Sequence, residues 1–391
     1  MVNERLLALG KRRSEIRELF EYGKALSREG KQVCDLTLGN PSTNTPDWVT
    51  DILKKGLDEN GIHSYTSAQG SLKARQSIAC NLNASHKAVF SEDGIILTCG
   101  AAASLCGVIK ALTENEKDEI AVLTPHFPEY KVFIESAGAK FVPVPFKTND
   151  FIPDTDALSS LINENTKAII INNPNNPSGR VYSEAEITVI AQILNKKQEE
   201  FAHPIYIISD EPYREIVFDG VQLPQIADVY KNTVICYSFS KSLSLPGERI
   251  GYIAIPNEIC LFNDLYASFL GALRSVGYVC APSLFQYMVE NFKPVYSDFS
   301  IYEHNKSLLV KGLTDLGFVC NDPKGAFYLM VKAPDGNARL MSDRAKKFGL
   351  LIVPGDSFGA EGYVRLATCV STATALQSIE LFKALAKDYT L

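Results

Sequence analysis

Histidine is scarce in this chain, and the patterns that most often announce a metal or a nucleotide are missing. The five histidines (His63, His86, His126, His203, His304) are scattered through the 391 residues. No two have the spacing that puts paired ligands on one helix face. There is no HExxH, no GxxxxGK[ST] and no GxGxxG after a strand-like run, so zinc hydrolysis and dinucleotide binding lose support. The nine cysteines include no CxxC pair and no regular spacing. Cys99, Cys236 and Cys280 sit in apolar runs, which suits buried free thiols in a reducing compartment better than a disulfide framework. No stretch of about 18 uncharged apolar residues occurs, so no membrane span is expected. Met1-Val2-Asn3-Glu4-Arg5 lacks the basic-then-apolar order of a signal peptide, and the cytoplasm is the expected location. A strong charge of one sign is also lacking: 39 basic against 45 acidic residues leave a net charge of -6. Such a surface does not attract polyphosphate, so nucleic-acid binding is not expected. The short basic clusters Lys11-Arg12-Arg13 and Lys346-Lys347 read as solvated helix faces.

What is present is enough apolar material, 46% of residues, for a large core, in a chain long enough for two domains. Short apolar runs at 95–98, 120–123, 141–144, 168–171, 205–208, 234–237 and 251–255 alternate with helical patterns. Seven such runs predict an α/β fold: a large domain with a mostly parallel seven-stranded sheet flanked by helices on both faces. Further strands at 327–331 and 363–367, among amphipathic helices that include 371–386, predict a smaller α+β domain. A helix at 15–28 is expected to pack with it. The division reads as 46–286 for the large domain, with 1–45 and 287–391 forming the small one.

Three clusters follow strand-like runs, where ligands bind in open α/β sheets. The first is Ser238-Phe239-Ser240-Lys241-Ser242, followed by Pro246-Gly247-Glu248-Arg249. Hydroxyls and a guanidinium could cup a phosphate dianion, and the lysine could form a Schiff base with an aldehyde cofactor. A polar turn with an exposed lysine is an equally good reading. The second is Ser209-Asp210-Glu211-Pro212-Tyr213. Asp210 could pair with a protonated pyridine nitrogen and Tyr213 could donate to a phenolate oxygen, although Asp210 taken alone reads better as a cap. The third, 172–179, holds two Asn-Pro dipeptides ending in Gly179. It is a rigid turn, and rigidity also suits an amide that must be aimed at a ligand.

Taken in order, these motifs resemble the fold-type-I pyridoxal-phosphate enzymes, specifically the class I/II aminotransferases of the aspartate aminotransferase type. The resemblance rests on Asn173-Pro174-x-Asn176-Pro177-x-Gly179, Asp210-x-x-Tyr213, Ser238-x-Ser240-Lys241 and Gly247-x-Arg249-x-Gly251. Pro354-Gly355-Asp356-Ser357-Phe358-Gly359 and then Arg365 follow, so the likeness spans essentially the whole chain. It implies pyridoxal 5'-phosphate as cofactor, with Lys241 as Schiff-base lysine and proton carrier and Asp210 on the ring nitrogen. Tyr213 and Asn176 would meet the phenolate oxygen. Ser238, Arg249 and the backbone N–H groups of Ala101 and Ala102 would hold the phosphate, and Phe127 would stack on the ring. Tyr65 would reach the neighbouring subunit's phosphate, which implies a homodimer. Arg365 would clamp the substrate α-carboxylate, with Gly39 and Asn176 nearby. Apart from the resemblance, Phe127 and Tyr65 read as core aromatics and Arg365 as a surface ion-pair residue.

The implied reaction carries an amino group from an L-amino acid to a 2-oxo acid in a ping-pong cycle. A Cβ–S lyase on the same scaffold is the alternative, because bond choice depends on substrate orientation over the ring. A non-catalytic regulatory homologue is a third reading. Members selective for dicarboxylic substrates often place Lys, Thr or Ser near the position of Ala102. Ala102 offers no polar group, and Arg274 falls in no alignable motif, so no amino donor is assigned.

Overall fold

The computed structural model describes residues 2–11 and 15–391. Met1, Arg12 and Arg13, which carry part of the N-terminal reading above, lie outside these residues. All seven apolar runs form strands of one sheet: β1 (Ile95–Thr98), β2 (Glu119–Leu123), β3 (Lys140–Val144), β4 (Thr166–Asn172), β5 (Tyr206–Asp210), β6 (Thr233–Ser238) and β7 (Gly251–Ala254). Their order is β1-β7-β6-β5-β4-β2-β3. Every neighbouring pair is parallel except the two made by β7, which runs antiparallel to both β1 and β6.

Burial on both faces explains the unbroken apolar runs. Along β4, Ala168 and Ile170 point to a core with helices Ala101–Ala111, Glu129–Ala137 and Phe262–Ser275. Ile169 and Ile171 point to the opposite core, built with Ile187, Ile190 and Leu194 of helix Glu184–Phe201. The alternation is the period of two that a strand imposes. Helix Glu184–Phe201 opens on a capping box in which Ser183 and Glu186 satisfy each other's backbone N–H.

A second sheet has the order β8-β10-β9, with β8 (Tyr328–Lys332), β9 (Val353–Pro354) and β10 (Tyr363–Ala367) all antiparallel. It packs with helices Ser300–Asp315, Ala338–Lys347 and Thr372–Tyr389. The N-terminal stretch joins this unit: Cys34–Asp35 pairs with Leu350–Leu351, and Ala367 N–H donates to Leu36 O at 2.8 Å. Helix Glu15–Arg28 docks here too, with Leu19 against Val353 and Phe358. Gly23 brings the same helix close to Leu351, whose methyl an added Cβ would approach to 2.7 Å and push aside. All nine cysteines are free; Cys236 is buried as expected, whereas Cys99 and Cys280 are only half-buried. Cys99 directly follows β1, and Cys280 lies in the loop between helices Phe262–Ser275 and Ser283–Glu290, with its Sγ 3.3 Å from Thr66 O.

Candidate active site

The register of the large sheet lines up the chemically interesting residues. Asn172 stands opposite Asp210, Asp210 opposite Cys236, and Ser238 opposite Gly251. The carboxyl ends of β4, β5 and β6 therefore form one rim. Directly after β6 the chain enters a helical turn, Phe239–Ser242, capped by Ser238 Oγ accepting from Ser240 N–H at 3.2 Å. That turn carries Lys241 back over the rim.

Lys241 Nζ donates to Gly39 O at 2.7 Å and lies 5.3 Å from the Phe327 ring centroid. Burial lowers the lysine to about 8; the thiol of Cys369 opposes this, and the Arg365 and Arg249 cations add to it. An amine that would be almost fully charged at the surface is thus roughly one-fifth neutral near pH 7.4.

Asp210 is buried at the end of β5. Its Oδ2 accepts a short hydrogen bond from Tyr130 Oη, and its Oδ1 has no hydrogen-bond partner among the described residues. Its backbone carbonyl accepts from Asn172 Nδ2 at 2.9 Å. Burial pushes the carboxyl up to about 7, with the Tyr130 hydrogen bond holding it down. Tyr213, also buried, places its hydroxyl 3.2 Å from that of Tyr328.

The Asn-Pro turn is fixed by its own side chains. Asn176 N–H donates to Asn172 Oδ1 at 2.6 Å, and Asn175 Nδ2 donates to Pro125 O at 3.1 Å. Gly179 has φ +65°, and a Cβ there would lie 2.7 Å from Tyr328 O. Only glycine lets the turn meet β8. Asn176 Oδ1 accepts from Arg365 at 3.1 Å, and Arg365 also donates to Thr37 O at 2.6 Å. Arg365 is 1% exposed, its Nε has no hydrogen-bond partner among the described residues, and its guanidinium lies 4.4 Å from the Tyr328 ring and 4.7 Å from Phe358. It is a buried cation with no carboxylate partner among the described residues, not the surface pair that the bare sequence suggests. Such a group is costly unless an anion joins it.

A second cationic corner lies at the start of helix Ala101–Ala111. Gly100 precedes it at φ +88°, and a Cβ there would lie 2.9 Å from an Arg249 guanidinium nitrogen. The first-turn N–H groups of Ala101 and Ala102 have no acceptor within the helix. Gly251 permits this approach, since a Cβ on it would lie 2.9 Å from Gly100 Cα. Ser238 lies beside Gly251 in the sheet, with its Oγ 2.7 Å from Ser240 Oγ. Phe127, half-buried after β2, meets Tyr130 edge-on at 5.7 Å.

The fold thus gathers Lys241, Asp210, Tyr213, Asn176, Ser238, Arg249, Ala101, Ala102, Phe127, Arg365 and Gly39 along one rim. Tyr65 is the exception: its side chain is 100% exposed, and among the described residues no hydrogen bond or ring contact ties it to the others. Three aromatic residues escaped the sequence reading. Tyr130 follows Phe127 by three residues, a helical spacing that points both toward one face and could have flagged it. Phe327 and Tyr328 read only as strand residues.

The family model described as aminotransferase class I and II matches residues 31–380. An aspartate aminotransferase of Pyrococcus horikoshii is 29% identical, over 97% of this chain and 95% of that one. An aromatic-amino-acid aminotransferase of Thermococcus litoralis is 30% identical, over 94% and 93%. The crystal structure of an amino transferase from Eubacterium rectale superposes with a TM-score of 0.97 at 46% identity, covering 100% of both chains. With the match extending over nearly its whole length, the chain belongs to the class I and II aminotransferases.

Proposed function

We propose that this chain moves an amino group from an L-amino acid to a 2-oxo acid, with pyridoxal phosphate held between Lys241 and Asp210. The observation that carries this reading is the Asp210 carboxylate, which has one oxygen on Tyr130 and the other buried with no partner among the described residues. An unsatisfied buried acceptor costs about 1–3 kcal/mol, and a protonated ring nitrogen seated against it removes that cost. The remaining corners suit the same group. Gly100, Arg249, Ser238 and a helix start form a cradle for a dianion, and Lys241 offers an amine depressed to about 8.

When bound, pyridoxal phosphate supplies an aldehyde that condenses with amines and a protonated ring that takes up the electron pair left at Cα. Lys241 would hold the aldehyde end of the cofactor and, as the base beside it, would move the proton between Cα and C4′. Asp210 would keep the ring nitrogen protonated, and Tyr213 and Asn176 would hydrogen-bond the phenolate oxygen. Phe127 would stack on the ring. Ser238, Arg249 and the N–H groups of Ala101 and Ala102 would hold the phosphate. Arg365 grips the α-carboxylate in two prongs, beside Asn176 and Gly39. Tyr65, exposed in the single chain, serves the phosphate of a neighbouring copy, so the working unit is a homodimer.

The division into 46–286 and 1–45 with 287–391 places Lys241 and Asp210 on one unit and Arg365 on the other, so the substrate bridges them. We place the protein in the cytoplasm; among the described residues no helix is long and apolar enough to cross a membrane. A panel of amino donors assayed with 2-oxoglutarate, beside cystathionine and cysteine assayed for pyruvate release, tests the reaction. Glutamate formation is expected to dominate, and pyruvate release without amino transfer would overturn the reading.

A further inference from the structure

Tyr328 touches three of the groups assigned above, yet no step of the reaction uses it. Its ring lies 4.4 Å from the Arg365 guanidinium carbon, and its hydroxyl lies 3.2 Å from that of Tyr213. The space above Gly39 is filled by the same hydroxyl, since a Cβ on Gly39 would lie 1.8 Å from it. Gly39 O in turn accepts from Lys241. The side chain is 3% exposed and wedged edge-on against Tyr213, with ring centroids 5.9 Å apart. Tyr328 bridges β10, which carries Arg365, to the turn after β5, which carries Tyr213.

We propose that Tyr328 is a positioning residue that couples occupancy of the Arg365 carboxylate site to the hydroxyl of Tyr213. The inference rests on the roles assigned to Arg365 and Tyr213 above. A cation stacked on a phenol ring makes its hydroxyl a better donor and a poorer acceptor. While Arg365 has no anion, the Tyr328–Tyr213 contact is therefore biased toward Tyr328 donating. A carboxylate on Arg365 cancels that field and frees Tyr328 to accept, so that the Tyr213 proton turns toward Tyr328 and away from the ring. The other titratable or charged groups close by are Asp210 and Tyr130 beside Tyr213, the buried Cys369 beside Tyr328, and Lys241, which meets Tyr328 through Gly39. Asn176 forms a separate link from Arg365, and the experiment must discount it.

The test compares the holoenzyme with its Tyr328→Phe, Tyr213→Phe and doubly substituted forms, using propionate as a carboxylate that cannot react. The readouts are the propionate dissociation constant and the midpoint of the pH titration of the cofactor's visible band, with and without saturating propionate. In the parent protein propionate is expected to move the midpoint. Each single variant is expected to bind propionate within threefold of the parent but to show half the parental movement or less. The double variant should match Tyr213→Phe, because Tyr328 acts through Tyr213. The residual movement in all three reports Asn176 and direct attraction. Full parental movement in either single variant overturns the coupling, and so does an additive loss in the double variant. Absence of any visible band in the parent would instead sink the cofactor assignment.

Discussion

Replacing Asp210 by Asn should push the stability of the cofactor-free protein and its hold on the cofactor in opposite directions. Burial raises the carboxyl from 3.8 to about 7 despite the Tyr130 hydrogen bond. A native-state value above the unfolded one means that the folded protein binds the proton more tightly. The stability contributed by this group is therefore fully present below about pH 4 and lost as the pH rises through 7. About three pH units at roughly 1.4 kcal/mol each give a swing on the order of 4 kcal/mol. Asn abolishes that swing but leaves a buried amide proton unpaired, which costs about 1–3 kcal/mol at every pH. At pH 8 the cofactor-free variant should be more stable than the parent by about 1–3 kcal/mol; near pH 5 the advantage should vanish or reverse. Cofactor binding should move the other way. A charge pair at about 4 Å and an effective dielectric near 20 contributes roughly 4 kcal/mol, so affinity should fall about a thousandfold. Urea unfolding of the cofactor-free protein at pH 5 and pH 8, with fluorescence titration of the cofactor, measures both. A variant destabilised equally at the two pH values, or one that keeps parental affinity, would refute the reasoning.

Two further outcomes follow from the same geometry. Arg365→Lys keeps the charge but loses the two-pronged grip, so the KM for amino donors should rise about a hundredfold while the visible cofactor band stays unchanged; an unaltered KM would remove Arg365 from the carboxylate site. Because only the neutral amine attacks an aldehyde, the rate at which cofactor-free protein takes up pyridoxal phosphate should climb with pH to a midpoint about 8, set by the lowered Lys241. A midpoint near 10.5 in stopped-flow absorbance would contradict that.

The sequence was most legible where burial is greatest. Strands covered on both faces must be apolar at every position, so β1 to β7 stand out as continuous runs, and the residues just past them fall on the rim by necessity. What stayed hidden depends on tertiary approach. Tyr130 lies 80 residues from Asp210, and Tyr328 lies 115 from Tyr213; no local pattern marks either pairing. Local chemistry likewise favoured a surface pair for Arg365. Only the fold reveals that Asn176, Thr37 and two aromatic rings enclose it. Cys99 and Cys280 sit in apolar neighbourhoods yet remain half-buried, because an apolar run ends at a rim as readily as it continues into a core.

The central claim is that the Lys241 amine bonds to the cofactor aldehyde. Borohydride reduction of the holoenzyme, followed by peptide mass spectrometry, measures it directly. The expected result is a single phosphopyridoxyl adduct on the peptide containing Lys241. An adduct on any other lysine, or none at all in a protein that retains its visible band, would contradict the account.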